Sequence, residues 1–176
     1  MNNMKTIAFV GSNSSKSINK QLTLSLLKNQ EVEFIDIQNW NIPMYSEDAQ
    51  IKDGFPELIN HLANQISTAS NLIISVNEHN SDVSAFMKNI LDWLSRHTKK
   101  IFTDKIVLVL STSNGQRGGL SANEFTVGFC TRNGAVNVES VTFPSFSQYF
   151  DSEKQEISDN DKKTEFENLI SNFIKK

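Results

Sequence analysis

Little in this chain can cross-link it or break its backbone. Its 176 residues include one cysteine, Cys130, so an intrachain disulfide is excluded and no cysteine-based metal site can form. Cys130 sits among apolar neighbours such as Val127 and Phe129, which fits a small buried side chain. Only three prolines occur, beside 38% hydrophobic and 21% charged residues, and this excludes a disordered or proline-rich chain. No apolar run approaches the length of a membrane span. The beginning of the chain has one early lysine and then four apolar residues, Ile7 to Val10, too few for a signal-peptide core. A cytoplasmic protein that contacts no membrane is expected. A basic stretch is missing too. With a net charge of -3 and no Lys/Arg cluster, nucleic acid is not an expected partner. Lys99, Lys100, Lys175 and Lys176 fall near expected helix ends, where they complement the negative end of the dipole.

What is present is a regular alternation. The length suits one well-buried domain, expected to span residues 1–176. Thr6–Val10 reads as a buried strand ending at Gly11. Ser17–Asn29 has helical spacing of Ile18, Leu22, Leu26 and Leu27, and Val32–Ile37 reads as a second strand. A loop, Gln38 to Gly54, holds Trp40, Pro43 and Tyr45. Phe55–Ala69 is predicted helical, Leu72–Val76 a third strand, and Val83–His97 a helix. Ile106–Leu110 is almost wholly aliphatic, as a parallel strand covered on both faces should be. Ser121–Asn133 is predicted helical and closes at Gly134. Val136–Phe143 gives a fifth strand, Ser147–Asp161 a polar loop, and Lys162–Ile174 a final amphipathic helix. The pattern implies an α/β three-layer sandwich, a five-stranded parallel sheet with helices on both faces. Ligands bind such sheets at the carboxyl ends of the strands.

Three loops at that edge can carry chemistry. The first, Gly11 to Asn19, is rich in serine and asparagine and runs straight into a helix. Backbone N–H groups, hydroxyls, Lys16 and the positive helix end suit a phosphate there, although Ser17 also reads simply as an N-cap. It lacks the GK[ST] ending of a Walker loop and the GxGxxG of dinucleotide folds. The second loop is Asn77-Glu78-His79-Asn80-Ser81-Asp82. Its polar groups suit the edge of a planar ligand, while His79 by itself reads as an exposed loop residue. No second histidine is near enough in sequence to make a metal pair, since His61 and His97 fall on predicted helices. The third, Ser111 to Gly119, has three glycines in nine residues and allows close backbone approach to a ligand. Lys88 and Asp92, four apart on one helix, read as a surface ion pair.

At these residues the chain resembles the NADPH-dependent FMN reductase family, which includes quinone, chromate and azo-dye reductases. The resemblance runs from the first strand to about Ala135. The family's GSxRxxSxN is matched by Gly11, Ser12, Ser17 and Asn19. Its PEYNxxxPxxxKNxxDW block is matched by Glu78, Asn80, Lys88, Asn89, Asp92 and Trp93, and its SxGxxGG loop by Ser113, Gly115, Gly118 and Gly119. Ile42-Pro43-Met44-Tyr45 is similar to its LPLY segment, and Gly134-Ala135 to its later GA pair. The chain departs at Ser14, where arginine is usual, and at Asn77, His79, Ser81 and Ser84.

The resemblance implies a flavodoxin-like fold that binds FMN. Ser12, Ser17 and Asn19 would hold its phosphate, with Ser14 and Ile18 in the same loop. Glu78, His79 and Asn80, next to Asn77, would line the isoalloxazine ring, largely through backbone. Ser113, Gly115 and Gly118, with Asn114, would cradle its other edge. The implied activity is hydride transfer from NADPH or NADH through FMN to a small acceptor such as a quinone, an azo compound, free flavin or a metal oxyanion. It needs no catalytic side chain and no metal. A homodimer or homotetramer is implied as well. The departures motivate an alternative, a flavodoxin-like binding or interaction module without FMN. A one-electron carrier is disfavoured by the mild net charge and by the lack of a threonine-rich phosphate loop.

Overall fold

The computed structural model describes residues 4–176. β1 (Thr6–Val10) leads to α1 (Ile18–Leu27), and β2 (Glu33–Phe34) to α2 (Glu47–Asp53) and α3 (Glu57–Thr68). β3 (Asn71–Val76) is followed by a small hairpin, β4 (Glu78–His79) and β5 (Asp82–Val83), and by α4 (Ala85–His97). β6 (Ile106–Thr112) precedes α5 (Leu120–Arg132), and β7 (Asn137–Phe143) precedes α6 (Phe146–Tyr149). A second hairpin, β8 (Phe150–Asp151) and β9 (Glu156–Ile157), leads to α7 (Asn160–Phe173).

Five strands make one parallel sheet in the order β2-β1-β3-β6-β7. Because side chains alternate across a strand, near-continuous apolar runs must be covered on both faces. Ile7, Phe9, Leu72, Ile74, Val107 and Val109 pack on one face with α3, α4 and α5. Ala8, Ile73, Leu108 and Leu110 pack on the other with α1 and α7. Each fully buried aliphatic side chain contributes roughly 1.5–3 kcal/mol of transfer free energy. The expected three-layer α/β sandwich is therefore the observed one, and its strand order is the flavodoxin-like one.

The differences are local. The expected loop from Gln38 to Gly54 contains α2, whose N-cap Ser46 accepts from the Ala49 amide and whose C-cap Gly54 has φ +76°. Glu47, Asp48 and Lys52 complement the dipole of this helix, so its start and stop signals were present in the sequence. β2 is shorter than Val32–Ile37: only Glu33 and Phe34 pair with β1, and the last bond to that strand runs from the Ile35 amide to the Ala8 carbonyl. Its β-prone tail leaves the sheet so that Ile37 can enter the core. The expected polar loop from Ser147 to Asp161 holds most of α6 and the β8–β9 hairpin. Phe150 and Ile157 there are buried, single apolar residues among charges that carry no periodic signal.

Candidate functional site

The loops after β1, β3 and β6 meet at the carboxyl edge of the sheet, beside the β1/β3 switch point. They enclose a cleft of about 220 Å³. Two devices hold it open. The buried Asn19 side chain donates to the Thr112 carbonyl at 3.1 Å and accepts from the Thr112 amide at 2.9 Å, fastening the start of α1 to the end of β6. Ser84 caps α4 by accepting from the Met87 amide and donates to the Gly11 carbonyl at 3.0 Å. A side chain at Gly11 would overlap Met87, so only glycine lets the first loop lie this close to α4.

The first loop presents donors. Ser12 accepts from the Ser14 amide, Ser14 from the Lys16 amide, and Ser17 from the Lys20 amide. With their oxygens accepting from backbone, all three hydroxyls keep their O–H free to donate. Ser12 and Ser17 are buried, while Ser14 and Lys16 are exposed. The amides of Ile18 and Asn19 begin α1 and have no intrahelical acceptor. Lys16 has no ion-pair partner among the described residues, whereas Lys20 is paired with Asp36 at 2.7 Å. That bond to Lys20 holds the Asp36 carboxyl below its ordinary value.

The second loop is the β4–β5 hairpin. Asn80 and Ser81 occupy its turn with φ of 52° and 62°, the double left-handed geometry of a two-residue hairpin turn. Asn77 Nδ2 and His79 Nε2 lie 3.2 Å apart. Glu78 Oε2 accepts from the Ser121 amide at 2.8 Å and the Ala122 amide at 3.4 Å, at the start of α5. The third loop is pinned from behind. The Ser113 and Gly115 carbonyls accept from Phe146 and Ser145, and Asn114 Oδ1 accepts from Ser147. Gly118, at φ +59°, abuts the backbone of Phe143 and Pro144 with no room for a Cβ.

The family model for NADPH-dependent FMN reductases matches residues 4–148. The chain belongs to that family. This reductase is therefore an NAD(P)H-dependent oxidoreductase of an FMN-dependent class. It is 39% identical to a quinone reductase of Escherichia coli over 79 residues, 45% of this chain and 42% of that protein. It is 32% identical to a 2-hydroxy-1,4-benzoquinone reductase of a Burkholderia species over 130 residues, 72% of this chain and 70% of the other. The match to the E. coli protein thus spans less than half of that protein's length. Among solved structures, FerB of Paracoccus denitrificans, a flavoenzyme NAD(P)H:acceptor oxidoreductase, superposes with a TM-score of 0.79 at 22% identity. The superposition covers 98% of this chain and 96% of FerB, and it shows a shared fold.

Of the residues predicted for the reductase's site, Ser12, Ser14, Ser17, Ile18, Asn19, Asn77, Glu78, His79, Ser113 and Asn114 line the cleft. Asn80, Gly115 and Gly118 do not. Asn80 turns the hairpin, and Gly118 lets the third loop pass under the end of β7. The Asn19 and Glu78 side chains bind neighbouring backbone. Thr112 also lines the cleft; it belongs to the third loop of the sequence analysis but not to its predicted site residues, and in the structure it is the last residue of β6. Lys16, noted beside the first loop, lines it as well.

Proposed function

We propose that this reductase binds FMN in the cleft, oxidises NADPH or NADH and reduces a small acceptor, with quinones the favoured class. One observation carries the reading. Three serine hydroxyls, the free amides that open α1 and the unpaired Lys16 converge on one end of the cleft, a donor set suited to a phosphate monoester. The other end fits a flat heterocycle with polar edges. Asn77 Oδ1 is buried there without a donor among the described residues and can accept from a ring N–H.

When bound, FMN supplies the redox chemistry, taking hydride from nicotinamide and giving electrons to the acceptor. The protein's part is to bind and orient. Ser12, Ser14, Ser17 and Lys16 hold the phosphate, Asn77 to His79 hold one ring edge, and Ser113 with Asn114 holds the other. We also propose one domain over residues 1–176, a cytoplasmic location and a homodimer or homotetramer. Met44 and Ile51, 71% and 77% exposed beside and on α2, support self-association.

An absorption spectrum of the purified protein, taken before and after adding FMN and desalting, tests the reading. Flavin bands that survive desalting, bleach anaerobically with NADPH or NADH and return on adding a quinone are the expected result. A protein that retains no FMN leaves the binding-module alternative.

A further inference from the structure

The β4–β5 hairpin forms one wall of the cleft and packs beside α5, with Val83 buried. It pairs with no strand of the main sheet, and at its base the Ser84 amide donates to the Asn77 carbonyl at 3.3 Å. Opposite it, the loop from Ser113 to Gly119 runs directly into α5. That helix has no local cap. Its N-cap is Gly119, which has no side chain, and its first turn contains no acid. An uncapped helix start leaves several N–H donors and a partial positive charge without a partner.

Both needs are met from 43 residues away, by Glu78 Oε2 on the Ser121 and Ala122 amides at 2.8 and 3.4 Å. We propose that Glu78 is a positioning residue. Its carboxylate, seated on the start of α5, fixes the gap between the Asn77–His79 wall and the Ser113–Asn114 wall, and so fixes the slot for the flavin ring. The inference rests on the flavin reading above. It has an electrostatic corollary. Glu78 is the one carboxylate among the described residues lining the cleft, and this seat sets its charge against a helix start instead of against a bound phosphate.

The test titrates FMN and riboflavin into ligand-free protein, following quenching of flavin fluorescence. Glu78→Ala is expected to weaken both flavins by about tenfold and by the same factor, because the clamp acts on the ring and not on the phosphate. Glu78→Gln keeps an oxygen able to accept both bonds, and should stay within about threefold of wild type. Ile170→Val, in the core on the opposite face, should lower Tm while leaving both affinities unchanged. Hydrogen exchange of amides 77–83 in the ligand-free protein should quicken in Glu78→Ala alone. The proposal is overturned if Glu78→Ala binds both flavins like wild type, or exchanges like Ile170→Val. A wild-type chain that binds neither flavin overturns the flavin reading instead, and hydrogen exchange then still decides the clamp.

Discussion

At the residue scale, side chains that look like ligands serve the backbone. Asn19 is 2% exposed and satisfies both the amide and the carbonyl of Thr112. Asn19→Ala should destabilise the protein by about 1–3 kcal/mol in denaturant titration, because it leaves a buried amide unpaired. Cys130 poses the opposite case, a titratable group kept neutral. Burial pushes its thiol up from the ordinary 9.0 to about 12. A raised value favours folding fully at pH below 9.0, and that contribution is lost as pH climbs towards 12. Wild type should therefore lose stability between those limits more steeply than Cys130→Ala, as thermal melts across the alkaline range would reveal. At pH 8 a thiol reagent should label Cys130 only as fast as the protein opens.

At the element scale, two sequence motifs prove to be one clamp. Asn89 donates to the Ile42 and Pro43 carbonyls and accepts from the Tyr45 amide at 2.7 Å. Trp93 Nε1 donates to the Pro43 carbonyl at 2.8 Å. These bonds fix the segment entering α2 onto α4, with Tyr45 packed edge-on against Trp93. Asn89→Ala should cost roughly 1–3 kcal/mol and speed hydrogen exchange at residues 42–46. Asp92, in the same motif, pairs with Lys88 at 2.6 Å on an exposed surface. Asp92→Asn should therefore change stability by less than about 1 kcal/mol. One stretch of α4 thus contains side chains of very different energetic weight.

At the scale of the whole molecule, the cleft joins loops from β1, β3 and β6, three neighbouring strands of one sheet. A ligand held by all three is bound by the native state and not by the unfolded chain. At a hundredfold excess over Kd, FMN should add about 2.7 kcal/mol, which is roughly a 5–11 °C rise in Tm for a protein of this size. Thermal melts with and without FMN check this, and an unchanged Tm would count against the proposed site.

The sequence by itself determined the layers and the location of the cleft. Aliphatic runs such as Ile106–Leu110 can only be buried on both faces, and their alternation with amphipathic helices leaves a parallel sheet as the solution. The loops then had to gather at one edge, so ten of the thirteen residues predicted for the site line the cleft. Tertiary structure alone decided what each of those residues does. Nothing local distinguishes an asparagine that meets a ligand from Asn19, whose partner is 93 residues away. Nor does the local sequence show that Glu78 caps a helix beginning 42 positions later. A short polar side chain hydrogen-bonds whatever packing brings within about 3 Å, and that neighbour is set by the closed sheet and not by the adjacent residues.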